Sequence, residues 1–457
     1  MTALDLGDIQ GNVLRGYHLP NARHFVLSVR DSGGARAFLA GLVSGNKETP
    51  QVTTAEEWGT RPSYCLNVGV TWRGLQVMGL PDGILSQFPP SFIDGPTANA
   101  AEMGDTDSAA PENWVIGGPR TDAVHLVVSL YTDEKRDLCI DRWTKVLRKL
   151  FADYRLAELR SFDANALADD KVHFGYRDGI AQPRIKGAPG RQPPDMQPMV
   201  DPGEFLLGRG YTNHYHGNYL GSLPEELCGN ATYAALRVIR QEAKAFEDFI
   251  TLMGRRWGLD KELIAAKLMG RWRNGNPLTL IPDQYDRTML PLERLNNFDF
   301  APSEGHEAYY DDPDGLRCPL GSHIRRLNPR GGSVLGIQYG RRIIRRAMPY
   351  GPPYVEHAAD ADAERGLIGF FICGDLETQF EYVLRTWANM DFATIGVKGT
   401  RDPILGWQPP DGGQFFMRTA ANRDAIVLDN LPRLTVTRGS AYCLMPGIGG
   451  LKFLAGV

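Results

Sequence analysis

Cysteine is scarce in this chain and never closely paired. The six thiols (Cys65, Cys139, Cys228, Cys318, Cys373 and Cys443) contain no CxxC. Their spacing excludes a paired-cysteine zinc site and a dense disulfide framework. Long apolar runs are also missing, and no stretch approaches the length of a membrane span. Neither sign of charge is in excess: 50 Lys and Arg stand against 54 Asp and Glu, a formal net of −4. Nucleic acid and acidic membrane surfaces are therefore not expected partners. The opening MTALDLGDIQGNVLRGYH has two acids before its first base and neither the apolar run of a secretory signal nor a twin arginine. The expected location is the cytoplasm, with reduced, buried thiols. Low-complexity sequence is absent.

What remains is globular in character, with 42% hydrophobic and 23% charged residues. A length of 457 residues favours two domains. A strand followed by an amphipathic helix recurs along the chain. The strand His24–Arg30 precedes a helix over Ala35–Leu42, and Val124–Tyr131 precedes one over Arg142–Phe151. Tyr233–Ile239 precedes a helix over Gln241–Trp257, and Gly366–Cys373 one over Leu376–Trp387. Phe246, Phe249, Ile250 and Met253 carry the 3.6-residue period, while β-branched and aromatic runs mark the strands. Tyr64–Thr71 is a further strand, as is Ala425–Leu428 or Val436–Leu444. The fold class is α+β, each domain packing helices on one face of an antiparallel sheet. Lys186–Gly203 is dense in Pro and Gly and reads as a linker, with a second irregular stretch over Asn213–Gly229. The division falls in these loops, giving domains 1–205 and 206–457.

Three segments carry chemistry. In Cys318-Pro-Leu-Gly-Ser-His-Ile-Arg-Arg-Leu-Asn-Pro-Arg330, Pro319 suits the first turn of a short helix and Asn328-Pro329 stops it. His323 then lies mid-turn, on the face of Leu320 and Leu327. A histidine there is more often a hydrogen-bonded core residue than a metal ligand. The guanidiniums of Arg325, Arg326 and Arg330 favour the ligand reading, because an anionic cofactor in an apolar pocket needs cations beside it. In Phe174-Gly-Tyr-Arg-Asp-Gly-Ile-Ala-Gln-Pro183, Gly175 and Gly179 allow a tight turn that aims the Asp178 carboxylate at a small cavity. The plainer reading is a turn capped by its own aspartate. In Gly340-Arg-Arg-Ile-Ile-Arg-Arg-Ala-Met-Pro-Tyr-Gly351, an extended backbone puts Arg341, Ile343 and Arg345 on one side and Arg342, Ile344 and Arg346 on the other. One set is then turned away from bulk solvent or towards an anion. The alternative is a solvated basic edge strand. His214 and His216 lack further ligands nearby and are read as loop residues.

Together these segments resemble the dye-decolourising peroxidase family, and its longer members most. The resemblance rests on Asp8-Ile-Gln-Gly11, the GxxDG element Gly175–Gly179, the HIRRxNPR element His323–Arg330, Arg345-Arg-Ala-Met-Pro-Tyr-Gly351 and Gln379-Phe-Glu381. These occur in family order across nearly the whole chain. The resemblance implies two ferredoxin-like α+β domains, the first including the GxxDG loop, the second holding one haem b. It implies a peroxidase that uses hydrogen peroxide to oxidise dyes, phenols and other small organic reductants through a ferryl intermediate. The proximal haem ligand falls on His323, the distal acid on Asp178 and the distal arginine on Arg345. Where some members carry an asparagine two residues after that arginine, this chain has Ala347, so no role can be given to an asparagine there. Arg330, Ile368 and Phe370 are expected around the cofactor, the last two as apolar distal cover. Glu381 is expected as the hydrogen-bond partner of His323.

Peroxidase chemistry asks for a base that stays unprotonated in mild acid. An aspartate, with an intrinsic pKa of about 3.9, meets this better than a histidine and predicts an acidic optimum. Bulky reductants would deliver electrons through surface Tyr or Trp residues, with Trp257, Trp272, Trp387 and Trp407 as candidates. The competing readings are a haem carrier or deferrochelatase-like protein, a chlorite-type enzyme of related fold, and a haem-free interaction module. The first would keep His323 without needing both Asp178 and Arg345.

Overall fold

The computed structural model describes residues 3–46, 49–133, 138–190, 192–210, 220–301, 312–332, 339–392, 397–419 and 424–457. Its strands are β1 (Asn21–Val29), β2 (Tyr64–Val70), β3 (Leu126–Thr132), β4 (Leu156–Asn165), β5 (Thr232–Gln241), β6 (Ile344–Tyr350), β7 (Gly366–Cys373), β8 (Gly413–Met417), β9 (Ile426–Leu431) and β10 (Thr435–Met445). Eight of them form one sheet in the order β4-β1-β3-β2-β10-β5-β7-β6, and β8 and β9 pair separately. The pattern occurs twice. In each half the fourth strand flanks the first, followed by the third and the second, and all pairings are antiparallel. That is the ferredoxin-like arrangement expected above, with β8 and β9 inserted before the last strand of the second half.

The main helices are α1 (Ser32–Leu42), α2 (Leu138–Asp153), α3 (Ala243–Trp257), α4 (Lys261–Met269), α5 (His323–Leu327) and α6 (Ile448–Ala455). Local chemistry explains their limits. Asp31 caps α1 by accepting from the Gly34 N–H at 2.8 Å. Gly258, at φ +64°, ends α3 in the left-handed conformation that glycine adopts without strain. The period-3.6 residues Phe246, Phe249, Ile250 and Met253 are all buried, and full burial of such a side chain stabilises by roughly 1.5–3 kcal/mol.

The two halves join where β2 meets β10, through a single paired position, Leu444 with Val70. The N-terminal Asp-Ile-Gln-Gly segment reinforces this thin seam. Gln10 donates to the carbonyls of Val68 and Pro446 and accepts from the Val68 N–H, at 2.8–2.9 Å. Asp8 accepts from the Gly449 N–H in the first turn of α6 and from Asn230 Nδ2, both at 2.7 Å.

Three local differences from the sequence reading have physical causes. β4 is an edge strand of mixed polarity, so it lacks the apolar run by which its neighbours were recognised. The helix expected over Leu376–Trp387 is wound as two abutting π-helical segments, Leu376–Glu381 and Val383–Ala388. Hydrophobic period does not separate these from an α-helix. The short helix around His323 begins at the histidine itself, with Ser322 as its cap position, rather than a turn earlier. Among the described residues no helix is long and apolar enough to cross a membrane. His214 and His216 lie outside the described residues.

Candidate active site

His323 opens α5, and the two arginines that follow it fasten the helix. Arg325 pairs with Asp312 at 3.1 Å and donates to the Cys318 carbonyl. Arg326 donates to the carbonyls of Trp387 and Met390 and to Thr400. The imidazole is aimed by a carboxylate. His323 Nδ1 lies 3.0 Å from both oxygens of Asp402, which is fully buried. Asp402 also accepts from the N–H groups of Ile404 at 2.9 Å and Leu405 at 2.7 Å. Burial raises the Asp402 carboxyl pKa. The His323 charge and hydrogen bond, with those two N–H groups, outweigh it and hold the carboxyl below its ordinary value. With Nδ1 fixed, Nε2 is the ring atom left to face outward.

Asp178 sits in a turn that two glycines make possible, Gly175 at φ +80° and Gly179 at φ +76°. A Cβ on Gly175 would also lie 2.7 Å from Arg273 Nη1, so that side chain would have to shift. The capped-turn reading fails: among the described residues the Asp178 carboxylate meets Arg345, with Nη2 at 3.6 Å from Oδ1, and not its own turn. Arg345 lies on β6, the sheet's edge strand. Its backbone N–H donates to Gln182 Oε1 at 3.2 Å, and Gln182 Nε2 donates to its carbonyl at 3.1 Å. The carboxamide thus acts as one more strand residue on the open edge and ties the Asp178 loop to the arginine.

The two groups border common ground. Leu327, one turn after His323 on α5, packs with Ile343 in the cluster of Val383 and Trp387. Ile343 immediately precedes β6 and stands two residues before Arg345. The extended backbone expected from Arg341 begins only at Ile344, since Arg341 has φ +55°; within β6 Ile344 is buried and Arg346 half-buried. Arg346 donates to the carbonyls of Asn12 and Val13.

No protein-family model matches the chain. Whole-length relatives are nevertheless clear. The dye-decolourising peroxidase of Exidia glandulosa is 27% identical over 474 residues, covering 99% of this chain and 87% of that protein. Peroxidase 2 of Mycetinis scorodonius is 28% identical over 478 residues, covering 98% and 87%. The chain is a relative of the dye-decolourising peroxidases. A fungal DyP-type peroxidase of Auricularia auricula-judae superposes with a TM-score of 0.81 at 24% identity, covering 100% of both chains, which establishes the common fold.

Measured against the dye-decolourising peroxidase pattern, several expected site residues need correction. Glu381 does not reach His323. It is buried under the first half of the chain, accepting from Ser91 Oγ, Asn99 Nδ2 and Tyr442 Oη, each at 3.0 Å, and Asp402 holds the histidine instead. Ile368 and Phe370 are fully buried, but on the wrong side of the sheet. They pair with Met348 and Arg346, whereas Arg345 pairs with Phe371 and Ala347 with Gly369. Partners in an antiparallel ladder share a face, so Phe371, half-buried, is the aromatic beside Arg345. Arg330 is buried and held by protein acceptors: Asp195 at 3.1 Å, the Asn296 Oδ1 at 2.6 Å and the Phe298 carbonyl at 2.5 Å. Arg325 and Arg326 are likewise engaged within the chain. Trp272 and Trp387 are core residues, Trp257 is exposed, and Trp407 is half-buried with its Nε1 donating to Asp107 at 2.7 Å.

Two observations bear on a haem. Among the described residues no group of three or more His, Cys, Asp or Glu side chains is set to hold a metal ion. His323 belongs to no such group. Close to Arg345, positive charge exceeds negative. Burial lowers Arg271 to about 9 and Arg342 to about 10, and for both the charges of Arg330 and Arg345 add to the lowering. The carboxylates that oppose this on Arg342 are Asp195 and Glu204. Propionates would meet the buried Arg271 and Arg342 rather than Arg345, so the residues fit the group.

Proposed function

We propose that this protein is a haem-dependent peroxidase that reduces hydrogen peroxide and oxidises dyes, phenols and other small organic reductants, with one haem b per chain. The observation that carries this reading is the presence of a carboxylate-anchored histidine together with a separate aspartate–arginine pair, on chain segments whose Leu327 and Ile343 pack against the same cluster. The division into domains 1–205 and 206–457 is part of the proposal, with the distal loop from the first and the haem ligand from the second.

Haem, when bound, supplies the redox-active iron at which the peroxide O–O bond is broken. His323 would hold the iron through Nε2. Asp402, accepting from Nδ1, fixes the ring and raises its basicity. Asp178 would take the proton from one peroxide oxygen and return it to the departing one. The Arg345 guanidinium meets the negative charge that grows on the leaving oxygen. Ala347 offers no polar group to the peroxide, so the aspartate and arginine work without an amide beside them. Phe371, on the Arg345 face of the sheet, would give the apolar cover that Ile368 and Phe370, on the other face, would not.

The test is haem reconstitution followed by rapid mixing with peroxide. The wild type is expected to give a Soret band that shifts on mixing, and His323→Ala to lose the band at equal haem. A wild type that binds haem without responding to peroxide would instead be a haem carrier.

A further inference from the structure

Tyr442 lies on β10 with its side chain fully buried, and the peroxidase chemistry above gives it no task. Its position is set by the register of the sheet. Arg345 pairs with Phe371, Phe371 with Ala235, and Ala235 with Tyr442. These four residues form one cross-strand row on one face, and three strand spacings separate Tyr442 from Arg345, roughly 14 Å. The gap above the small Ala235 is filled from the π-helical segment. The Phe380 ring lies 5.6 Å from Phe371 and 6.0 Å from Tyr442, centroid to centroid. Aromatic rings therefore run without interruption from the side of Arg345 to the phenol.

The phenol has a proton acceptor built in. Tyr442 Oη donates to Glu381 Oε1 at 3.0 Å, and Ser91 and Asn99 hold the other carboxylate oxygen. Met103 Sδ lies 3.7 Å from the same hydroxyl. A tyrosine that loses an electron also loses its proton, and in a dry interior that loss is blocked unless an acceptor is already in place.

We propose that Tyr442 is an internal redox site: it gives one electron to the peroxide-oxidised cofactor while its phenolic proton moves to Glu381, leaving a neutral tyrosyl radical beside a protonated carboxyl. The step balances, with one electron going to the oxidised cofactor and one proton crossing one hydrogen bond. Burial pushes the Tyr442 phenol well above its ordinary value, so the group is protonated at rest and transfer to Glu381 has to accompany oxidation. The site stores an oxidising equivalent away from the peroxide pocket, shielded from solvent. This inference rests on the peroxidase reading.

The experiment is freeze-quench electron paramagnetic resonance on the haem-loaded protein mixed with peroxide, with the Soret shift followed in parallel. The expected result is a tyrosyl signal that narrows with ring-deuterated tyrosine and is lost in Tyr442→Phe. In Glu381→Gln, which keeps the shape of the acceptor but not its charge, the signal should be lost or strongly delayed. This second variant covers the case in which the first does not fold. A Soret shift with no tyrosyl radical, or with one that persists unchanged in both variants, overturns the proposal and leaves the peroxidase reading standing. No Soret shift at all overturns both.

Discussion

The two sides of the site are built differently. On the histidine side, His323 is one-fifth exposed and Asp402 not at all. Their contact is a hydrogen bond of 3.0 Å, and the carboxylate is further fixed by two backbone N–H groups. On the peroxide side, Asp178 is 44% and Arg345 36% exposed, and they stand 3.6 Å apart. One lies on a glycine turn and the other on an edge strand. A histidine that is to hold a metal has to be aimed beforehand, so rigidity and burial would serve it. A base that receives a proton from an incoming substrate has to remain reachable, and a buried carboxylate tied to an arginine would not be. The contrast is between a preset anchor and an open pair joined by a 3.6 Å ion pair, the Gln182 carboxamide and the Ala181 carbonyl.

Three substitutions test that contrast, in decreasing order of expected effect. Arg345→Leu should slow the peroxide-dependent Soret shift by about 10²–10³-fold, the range seen when one preorganised charge-stabilising donor is removed. Haem content, measured by absorbance, should not fall. Haem loss in that variant would place the arginine on the anchor side and break the comparison. Asp402→Asn should weaken haem retention or activity by about 10–100-fold, as loss of a histidine's supporting carboxylate usually does. Transfer of haem to a scavenger protein measures it, and a variant that retains haem as tightly as wild type would show that the carboxylate is not the anchor. Gln182→Ala removes two backbone hydrogen bonds, each worth about 1 kcal/mol net. It should slow the peroxide step by a few-fold while leaving haem retention alone. A loss matched by Gln182→Leu but restored by Gln182→Asn would show that the amide's bonding, not its bulk, positions Arg345.

Much of the fold was legible because hydrophobic period and strand composition are local properties. The strands around Phe25, Val68, Val128, Leu236 and Phe370 were recognisable in that way, as were α1, α2 and α3. The site was legible in its motifs but not in its partnerships. Asp402 stands 79 residues after His323, in an Arg-Asp-Pro-Ile-Leu-Gly loop. The only local sign of it is an aspartate poised to accept from the N–H groups two and three residues on. Glu381 looked a better partner because it lies in a family motif, yet its side chain is held by Ser91 and Asn99, which sequence does not place beside it. Ile368 and Phe370 were wrong by one residue, and in a strand one residue is the other face. The register that settles this, Arg345 opposite Phe371, exists only once β6 and β7 are paired. Arg330 was read as a cation awaiting a propionate because its chain-internal acceptors, Asp195 and Asn296, come from distant loops.

The claim at the centre is that Asp178 and Arg345 act on peroxide as one unit, opposite a histidine that holds the haem without them. A double-mutant cycle tests it most directly, using the rate of the peroxide-driven Soret shift in haem-loaded wild type, Asp178→Asn, Arg345→Leu and the double variant. The prediction is full haem content in all four, and a double variant no more than about three-fold slower than the slower single, as expected for residues that act as a unit. Rates that multiply, or single variants as fast as wild type, would contradict the account.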